Sequence, residues 1–152
     1  MTNIWWAAAG YYPLAVLSAV VPWVNAELVM LSAVPLAGTP LHLGALVGVV
    51  TAGQMTGKAV MYLVAQRTRR PRGPRLERLL GQWQERLQRR PRSALAVTFV
   101  SAIVGIPPFY LVAMAAGRLN VAFNRFMAVG TLGRLIHFGI VAFLPHFTWR
   151  GL

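Results

Sequence analysis

Long apolar segments alternate with short polar breaks along most of the 152-residue chain. Residues 1–26, 28–57 and 93–117 contain no charged side chain. A helix of about 20 apolar residues crosses the roughly 30 Å hydrocarbon core of a bilayer, and each of these stretches is longer than that. The pattern therefore predicts an integral membrane protein.

Three segments predict complete membrane helices, over about residues 4–21, 41–66 and 121–145. The first has no Lys or Arg before it and carries Trp5 and Trp6 at its start. These features are typical of an uncleaved membrane helix with aromatic residues at the interface, and not of a secretory signal.

Two further apolar segments are interrupted. Residues 23–38 are short for a crossing and include Glu27, and residues 92–117 contain Pro107 and Pro108 near their middle. Backbone groups freed at such breaks must be buried in protein or face water, because lipid cannot satisfy them. Two broken segments, each followed by a complete span, predict an inverted repeat around a central site.

We therefore expect an all-α polytopic membrane protein with transmembrane helices, two re-entrant helical hairpins in an inverted repeat, and a cytoplasmic amphipathic helix. It forms one membrane domain over residues 1–152. Its expected parts are a first helix at 1–22, a first half-repeat at 23–66, a basic loop at 67–91 and a second half-repeat at 92–145. The alternative makes both interrupted segments full crossings with proline kinks.

The charge of the chain is concentrated in one loop. The formal net charge is +12, from 15 Lys and Arg against 3 Asp and Glu, and ten of the basic residues fall within residues 67–92. Cytoplasmic loops carry an excess of Lys and Arg. We therefore expect this loop in the cytoplasm and the chain as a multi-pass protein of the inner cell membrane.

The basic loop itself predicts an amphipathic helix over residues 75–90, bracketed by the helix breakers Pro71, Pro74 and Pro91. Its apolar positions recur at i, i+3, i+4, i+7 and i+11, which places them on one face; they are Leu76, Leu79, Leu80, Trp83 and Leu87. Such a helix is typical of the headgroup plane of an anionic bilayer, so we expect lipid contacts from Arg75, Arg78, Trp83 and Arg86. Nucleic-acid binding is the alternative for an Arg-rich run, but nothing else in the chain resembles a nucleic-acid module.

Glu27 is the only acidic residue outside that loop. A carboxylate among membrane segments is energetically expensive and points to function. The alternative is a carboxylate at the outer interface that caps a short helix after Asn25. Candidate partners for the charge are Lys58, Arg118, Arg125 and Arg134.

Residues 53–58 superficially resemble a phosphate-binding loop. The Walker pattern fails, however, because Ala52 and Ala59 stand where a glycine and a Ser or Thr are required. Lys58 is either paired inside the protein or snorkels to the interface. The small residues of this span and of the last one instead predict close helix packing; they are Gly44, Gly48, Gly53, Thr56 and Gly57, with Gly130 and Gly133.

Arg134 and His137 lie three residues apart on one face of the last predicted span. With Arg118 and Arg125 they form a candidate cationic lining for a phosphate headgroup, although interfacial contact is the favoured interpretation of Arg118 and Arg125.

The three histidines are scattered and cysteine is absent, so we expect no metal and no cofactor. A single acid outside the loop cannot form a catalytic pair, which argues against an enzyme.

Several short motifs share a family's order and spacing. They are Val24-Asn25-Ala26-Glu27-Leu28, then Gly53-Gln54-Met55-Thr56-Gly57-Lys58 with Tyr62 and Arg67, then Phe99-Val100-Ser101 and Ala115-Ala116-Gly117-Arg118-Leu119. Over roughly residues 23–145 the chain thus resembles the DedA / VTT-domain family of membrane proteins, also called SNARE-associated Golgi-type proteins. The resemblance implies two re-entrant hairpins that face each other and movement of lipids between leaflets.

The same resemblance identifies departures in this chain. The family's membrane-embedded acid falls at Glu27, but Gln54 stands where a second acid is usual. Ala102 and Pro108 stand where two arginines of a family pattern would be. Proton coupling and substrate identity are therefore the properties on which this chain can differ from its relatives.

The first functional hypothesis is a lipid translocase, flippase- or scramblase-like, that moves a phospholipid or a polyprenyl phosphate between leaflets. The expected partners are membrane lipids with an anionic or lipid-phosphate substrate, protons, and a second copy of the chain, without nucleic acid. The alternatives are a small proton-coupled antiporter of cationic compounds and a membrane-organising protein without transport. The residues predicted to bind substrate or ion are Glu27, Gln54, Lys58, Arg134, Pro107 and Pro108.

Overall fold

The computed structural model describes residues 4–68 and 73–150, without some side chains of residues 76–91 and those of residues 146–150. All regular secondary structure in these residues is helical. The predicted all-α class is therefore confirmed for the described part of the chain. The elements are α1 (Ile4–Val20), α2 (Ala26–Ala33), a 3₁₀ turn (Val34–Leu36), α3 (Pro40–Arg67), α4 (Pro74–Arg89), α5 (Pro91–Val104), α6 (Phe109–Arg118) and α7 (Phe123–Arg150).

Both predicted interruptions are present. The segment after α1 forms the short helix α2 and then the 3₁₀ turn, which contains Pro35. The later segment divides into α5 and α6 because Gly105 ends α5 in the left-handed region (φ 79°), which glycine adopts without a steric penalty. The Gly105 N–H donates to the carbonyl of Ser101 at 2.8 Å. The next helix begins only after Pro108, so the chain turns between the two helices.

Prolines begin three of the helices. Pro40, Pro74 and Pro91 are the first residues of α3, α4 and α5, a position where the missing N–H costs nothing because no intrahelical acceptor faces it. The third predicted breaker, Pro71, lies outside the described residues. Pro145 does not end α7, which continues to Arg150.

One described helix is both long and apolar enough to cross a bilayer, the segment Phe123–Pro145 of α7. Shorter apolar helices cover Ile4–Val20, Ala26–Leu36 and Arg92–Val104. The helices predicted near residues 4–21 and 41–66 are confirmed as helices, and their crossing of the membrane stays a prediction.

The chain divides into two compact units. The first comprises the described residues of Met1–Gly57 and Arg134–Leu152, and the second those of Lys58–Gly133. The first unit buries apolar side chains from α1, α2, α3 and α7 in one cluster, which excludes water from the middle of the unit. Its fully buried members are Ala15, Met30, Ala33, Leu43, Leu46, Val47, Val50, Phe138 and Ala142.

The second unit is organised around stacked aromatic rings. The ring of Tyr62 stacks on Phe126 with centroids 5.4 Å apart, and Phe126 stacks on Phe109 at 6.0 Å. The Tyr62 hydroxyl donates to the carbonyl of Val121 at 2.5 Å. In this unit α5 also packs against α6, as expected for two helices joined by a short turn.

Close approach of helices depends on particular glycines. A Cβ on Gly53 would lie 2.6 Å from the carbonyl oxygen of Tyr12, one on Gly57 would overlap the Cβ of Ala19, and one on Gly133 would lie 2.6 Å from Ala102 Cβ. The prediction of small-residue packing is confirmed at these three positions. It is wrong at Gly44 and Gly48, where a Cβ would meet no described atom within 4 Å.

Candidate functional site

Glu27 is the second residue of α2, and a neighbour caps that helix. The Asn25 side-chain oxygen accepts a hydrogen bond from the Glu27 backbone N–H at 2.8 Å. An asparagine in this place satisfies one of the N–H groups that a helix start leaves without a partner. The capping role considered for Glu27 therefore belongs to Asn25, and the carboxylate extends beyond the cap.

The partner of this carboxylate is a histidine of α7. His137 Nε2 lies 3.5 Å from Glu27 Oε1, with 13% of the His137 side chain and 54% of the Glu27 side chain exposed. The distance is that of an ion pair and is longer than a good hydrogen bond. His137 was absent from the predicted partners of Glu27, although its i,i+3 spacing from Arg134 already placed both on one helix face.

Arg134 belongs to the same cluster. Its side chain is buried, with 9% of its surface exposed, and it interacts electrostatically with Glu27. The guanidinium carbon lies 5.7 Å from the centroid of the Phe138 ring, one turn further along α7. Within the first unit, α7 thus places an imidazole next to the carboxylate that α2 supplies, and a buried guanidinium one turn earlier on the same helix.

Gln54 is also in the first unit, where it connects α3 to α1. Its Nε2 donates to the Ala15 carbonyl at 3.2 Å and to the Ser18 hydroxyl at 2.5 Å. The Ser18 hydroxyl in turn donates to the same carbonyl at 2.9 Å. Both donor hydrogens of the amide are therefore used within the protein, and a ligand-binding role for Gln54 stays a prediction.

The remaining predicted substrate residues lie in the second unit. Lys58 is 4% exposed and its Nζ lies 6.0 Å from the centroid of the Phe109 ring, so the snorkelling interpretation is wrong. The Pro107 carbonyl accepts from the Ser101 hydroxyl at 2.5 Å, while Pro108 is the N-cap residue of α6. These contacts hold the turn between α5 and α6 in place, and neither sequence pattern nor spacing identified Ser101 in this role.

The predicted lipid-contacting residues occupy α4. Arg75, Arg78 and Arg86 are exposed, and Leu79 on the apolar stripe is half exposed. The side chain of Trp83 lies outside the described residues, as do those of Leu76, Leu80 and Leu87. The arginines are thus available to anionic groups.

The chemistry of the Glu27 cluster is that of anion binding. A guanidinium offers several donors in a planar fork that matches the oxygens of phosphate. A histidine can add a second positive charge, because its imidazole ordinarily changes charge between pH 5 and 8. The carboxylate is then the internal counter-ion with which an external anion competes.

Comparison of the sequence with models of known protein families indicates the same family as the short motifs do. The sequence model of the VTT domain matches residues 21–147, which include the Glu27 cluster, Lys58 and the turn between α5 and α6. No curated protein and no solved structure matches the chain significantly.

Proposed function

The chain belongs to the VTT-domain (DedA) family of membrane proteins, and on that premise we propose that it moves a lipid bearing a phosphate group between the leaflets of a bilayer. The substrate class is a phospholipid or a polyprenyl phosphate. Family membership supports a membrane protein, and the residues of this chain support the phosphate.

The observation that carries the proposal is the buried guanidinium of Arg134. It lies in the segment Phe123–Pro145, the described helix suited to cross a bilayer, and only 9% of it is exposed. An arginine at the centre of a membrane helix costs about 3 kcal/mol. The negative charge of Glu27 offsets part of this cost. A phosphate headgroup is also negatively charged and can replace Glu27 as the counter-ion of the guanidinium.

The half-exposed carboxylate supports the same interpretation. Because 54% of the Glu27 side chain is exposed while Arg134 is buried, the outer member of the pair is the one that an arriving anion meets first. We infer that the headgroup displaces Glu27 from the guanidinium, and that Glu27 recovers its place when the lipid leaves. The cycle returns the cluster to its starting charge.

Reconstitution tests this function. Proteoliposomes containing a fluorescent phosphatidylglycerol are treated with dithionite, which quenches only outer-leaflet label, and the rate at which inner label becomes quenched measures exchange. We expect R134Q to slow exchange at least about tenfold, because a charge-assisted hydrogen bond contributes about 1.5–3 kcal/mol. R125Q is the matched control, since Arg125 lies on the same helix but is exposed. Equal rates for R134Q and the unchanged protein would exclude this site.

A cation antiporter is the second candidate, and the cluster argues against it. A cation would approach Glu27 beside a permanently charged guanidinium, which repels it. The antiporter nevertheless makes a distinct prediction, because it requires movement of a labelled organic cation that is abolished in E27Q. A membrane-organising protein would move neither lipid nor cation.

Topology forms a further part of the proposal. The basic loop around α4 lies in the cytoplasm, and the segments containing α2 and α5–α6 are re-entrant hairpins that enter from opposite faces in an inverted repeat. The turn at Gly105 and the 3₁₀ turn at Pro35 support this arrangement. Each follows a helix, α5 or α2, that is too short to cross a bilayer.

A further inference from the structure

The charge balance of the Glu27 cluster depends on one titratable ring. An arginine is positively charged near neutral pH, and a carboxylate is ordinarily ionised there. With a neutral imidazole these two charges cancel. With a protonated imidazole the cluster has an excess of one positive charge, because Glu27 is the only acidic residue of the chain outside α4.

We propose that His137 is the proton-binding residue of this site, so that the cluster takes up one phosphodiester anion together with one proton on the imidazole. This inference rests on the proposed function and adds that binding of the anion is coupled to binding of a proton. The proton comes from water when the anion binds and returns to water when the anion leaves. When the anion binds, an N–H bond of the imidazole forms as an O–H bond of a hydronium ion breaks, and release of the anion reverses both changes.

Geometry places the imidazole where this coupling operates. His137 Nε2 lies 3.5 Å from Glu27 Oε1, and Arg134 is one turn earlier on the same helix. An anion that binds Arg134 therefore adds a negative charge on the same face of the helix as the ring. Charges of opposite sign stabilise each other strongly where water is scarce, and 13% exposure of the His137 side chain makes water scarce.

The neutrality of Gln54 strengthens this assignment. A neutral amide that donates to Ala15 and Ser18 neither binds nor releases a proton near neutral pH. The first unit therefore has Glu27 as its acid and histidine as the group whose ordinary titration range includes neutrality.

Other titratable groups of the first unit are accounted for. On α1 the Tyr11 hydroxyl accepts from Ser32 and the Tyr12 hydroxyl is hydrogen-bonded to Thr56. On α3 the titratable residue of this unit is His42, near the start of the helix. α2 contributes Glu27, and α7 contributes Arg134 and His137 within its described side chains.

Calorimetry with the purified full-length protein in a neutral detergent tests the proposal. The probe is dihexanoylphosphatidylglycerol, a phosphodiester whose single charge does not titrate near neutrality, so protons taken up on binding belong to the protein. Heats measured in HEPES and in Tris buffers at one pH, neither of which contains phosphate, differ in proportion to the number of protons. We expect proton uptake when the anion binds at a pH above the ordinary titration range of imidazole, and an affinity that falls as the pH is raised through that range.

The H137N variant decides where the proton binds. We expect it to bind the probe through Arg134 with no proton uptake and no dependence on pH, and we expect H137Q to behave in the same way. H42N is the control and should retain the uptake of the unchanged protein. Uptake that persists in H137N would place the proton on Glu27 and overturn the proposal, as would binding without uptake in the unchanged protein. If the unchanged protein binds no probe at any pH, the proposed function fails and the coupling fails with it.

Discussion

Gln54 on α3 donates a hydrogen bond of 2.5 Å to the hydroxyl of Ser18 on α1, a residue 36 positions away in sequence. Both side chains are buried. The amide thus stabilises the contact between α3 and α1 at the position where relatives of this chain are expected to have an acid.

An acid at this position should destabilise the protein. Q54E removes the donors that satisfy the Ala15 carbonyl and the Ser18 hydroxyl, and it places a carboxylate against a carbonyl oxygen. Burial of a polar group without its partner costs about 1–3 kcal/mol, and more when the group is charged. We expect a clear fall in the thermal unfolding midpoint in detergent, larger than the fall caused by Q54M. A Q54E protein as stable as the unchanged one would show that this amide does not hold the helices together.

The glycines of α3 provide a matched pair. G53A places a methyl group 2.6 Å from the Tyr12 carbonyl and 2.7 Å from Ala15 Cβ, so the helices must separate, and overpacking of this kind costs about 1–3 kcal/mol. G48A meets no described atom within 4 Å and gains up to about 1 kcal/mol of helix propensity. We expect G53A to lower the unfolding midpoint and G48A to leave it unchanged or raise it. The reverse order would contradict the packing of α3 on α1.

The hydroxyl of Tyr62 can be tested apart from its ring. Y62F keeps the stacked ring but removes the donor to the Val121 carbonyl, a loss of about 1 kcal/mol. Y62A also removes the ring and should cost about 3–5 kcal/mol, as large aromatic truncations do. Denaturant titration of the two variants in mixed micelles measures the difference. If Y62F and Y62A were equally stable, the aromatic stack would not be the core of the second unit.

Topology can be tested without background labelling, because the chain contains no cysteine. Single-cysteine variants at Glu27 and Pro107 are labelled with a membrane-impermeant maleimide in right-side-out and inverted vesicles. Opposed re-entrant hairpins require the two positions to react from opposite sides, with G81C on α4 as the cytoplasmic reference. Labelling of both positions from the same side would exclude the opposed hairpins.

Most of the helical framework could be predicted from sequence, because apolar length and the positions of Gly and Pro directly determine where a membrane helix starts and stops. The break at Gly105 and the short helix after Asn25 are examples. The end of α7 could not be predicted in this way, since a proline inside a helix costs one hydrogen bond and Pro145 is tolerated there.

Contacts between helices distant in sequence were harder to predict. Periodicity places Arg134 and His137 on one face, but it does not say which helix that face meets, so His137 was missed as the partner of Glu27. The same reason applies to Gly44 and Gly48, which have the same four-residue spacing as Gly53 and Gly57 but meet no described neighbour within 4 Å. A small residue shows where close contact is allowed, and the neighbouring helix determines whether it occurs.

Fourteen of the fifteen basic residues are arginines, and Lys58 is the only lysine. A guanidinium does not release its proton under physiological conditions, and acetylation acts on lysine. The exposed charge on α4 therefore stays constant when cellular pH or acetyltransferase activity changes. Under the coupling proposed above, acidification changes the occupancy of the anion site. It leaves unchanged the charge on α4 that sets the orientation of the protein in its membrane.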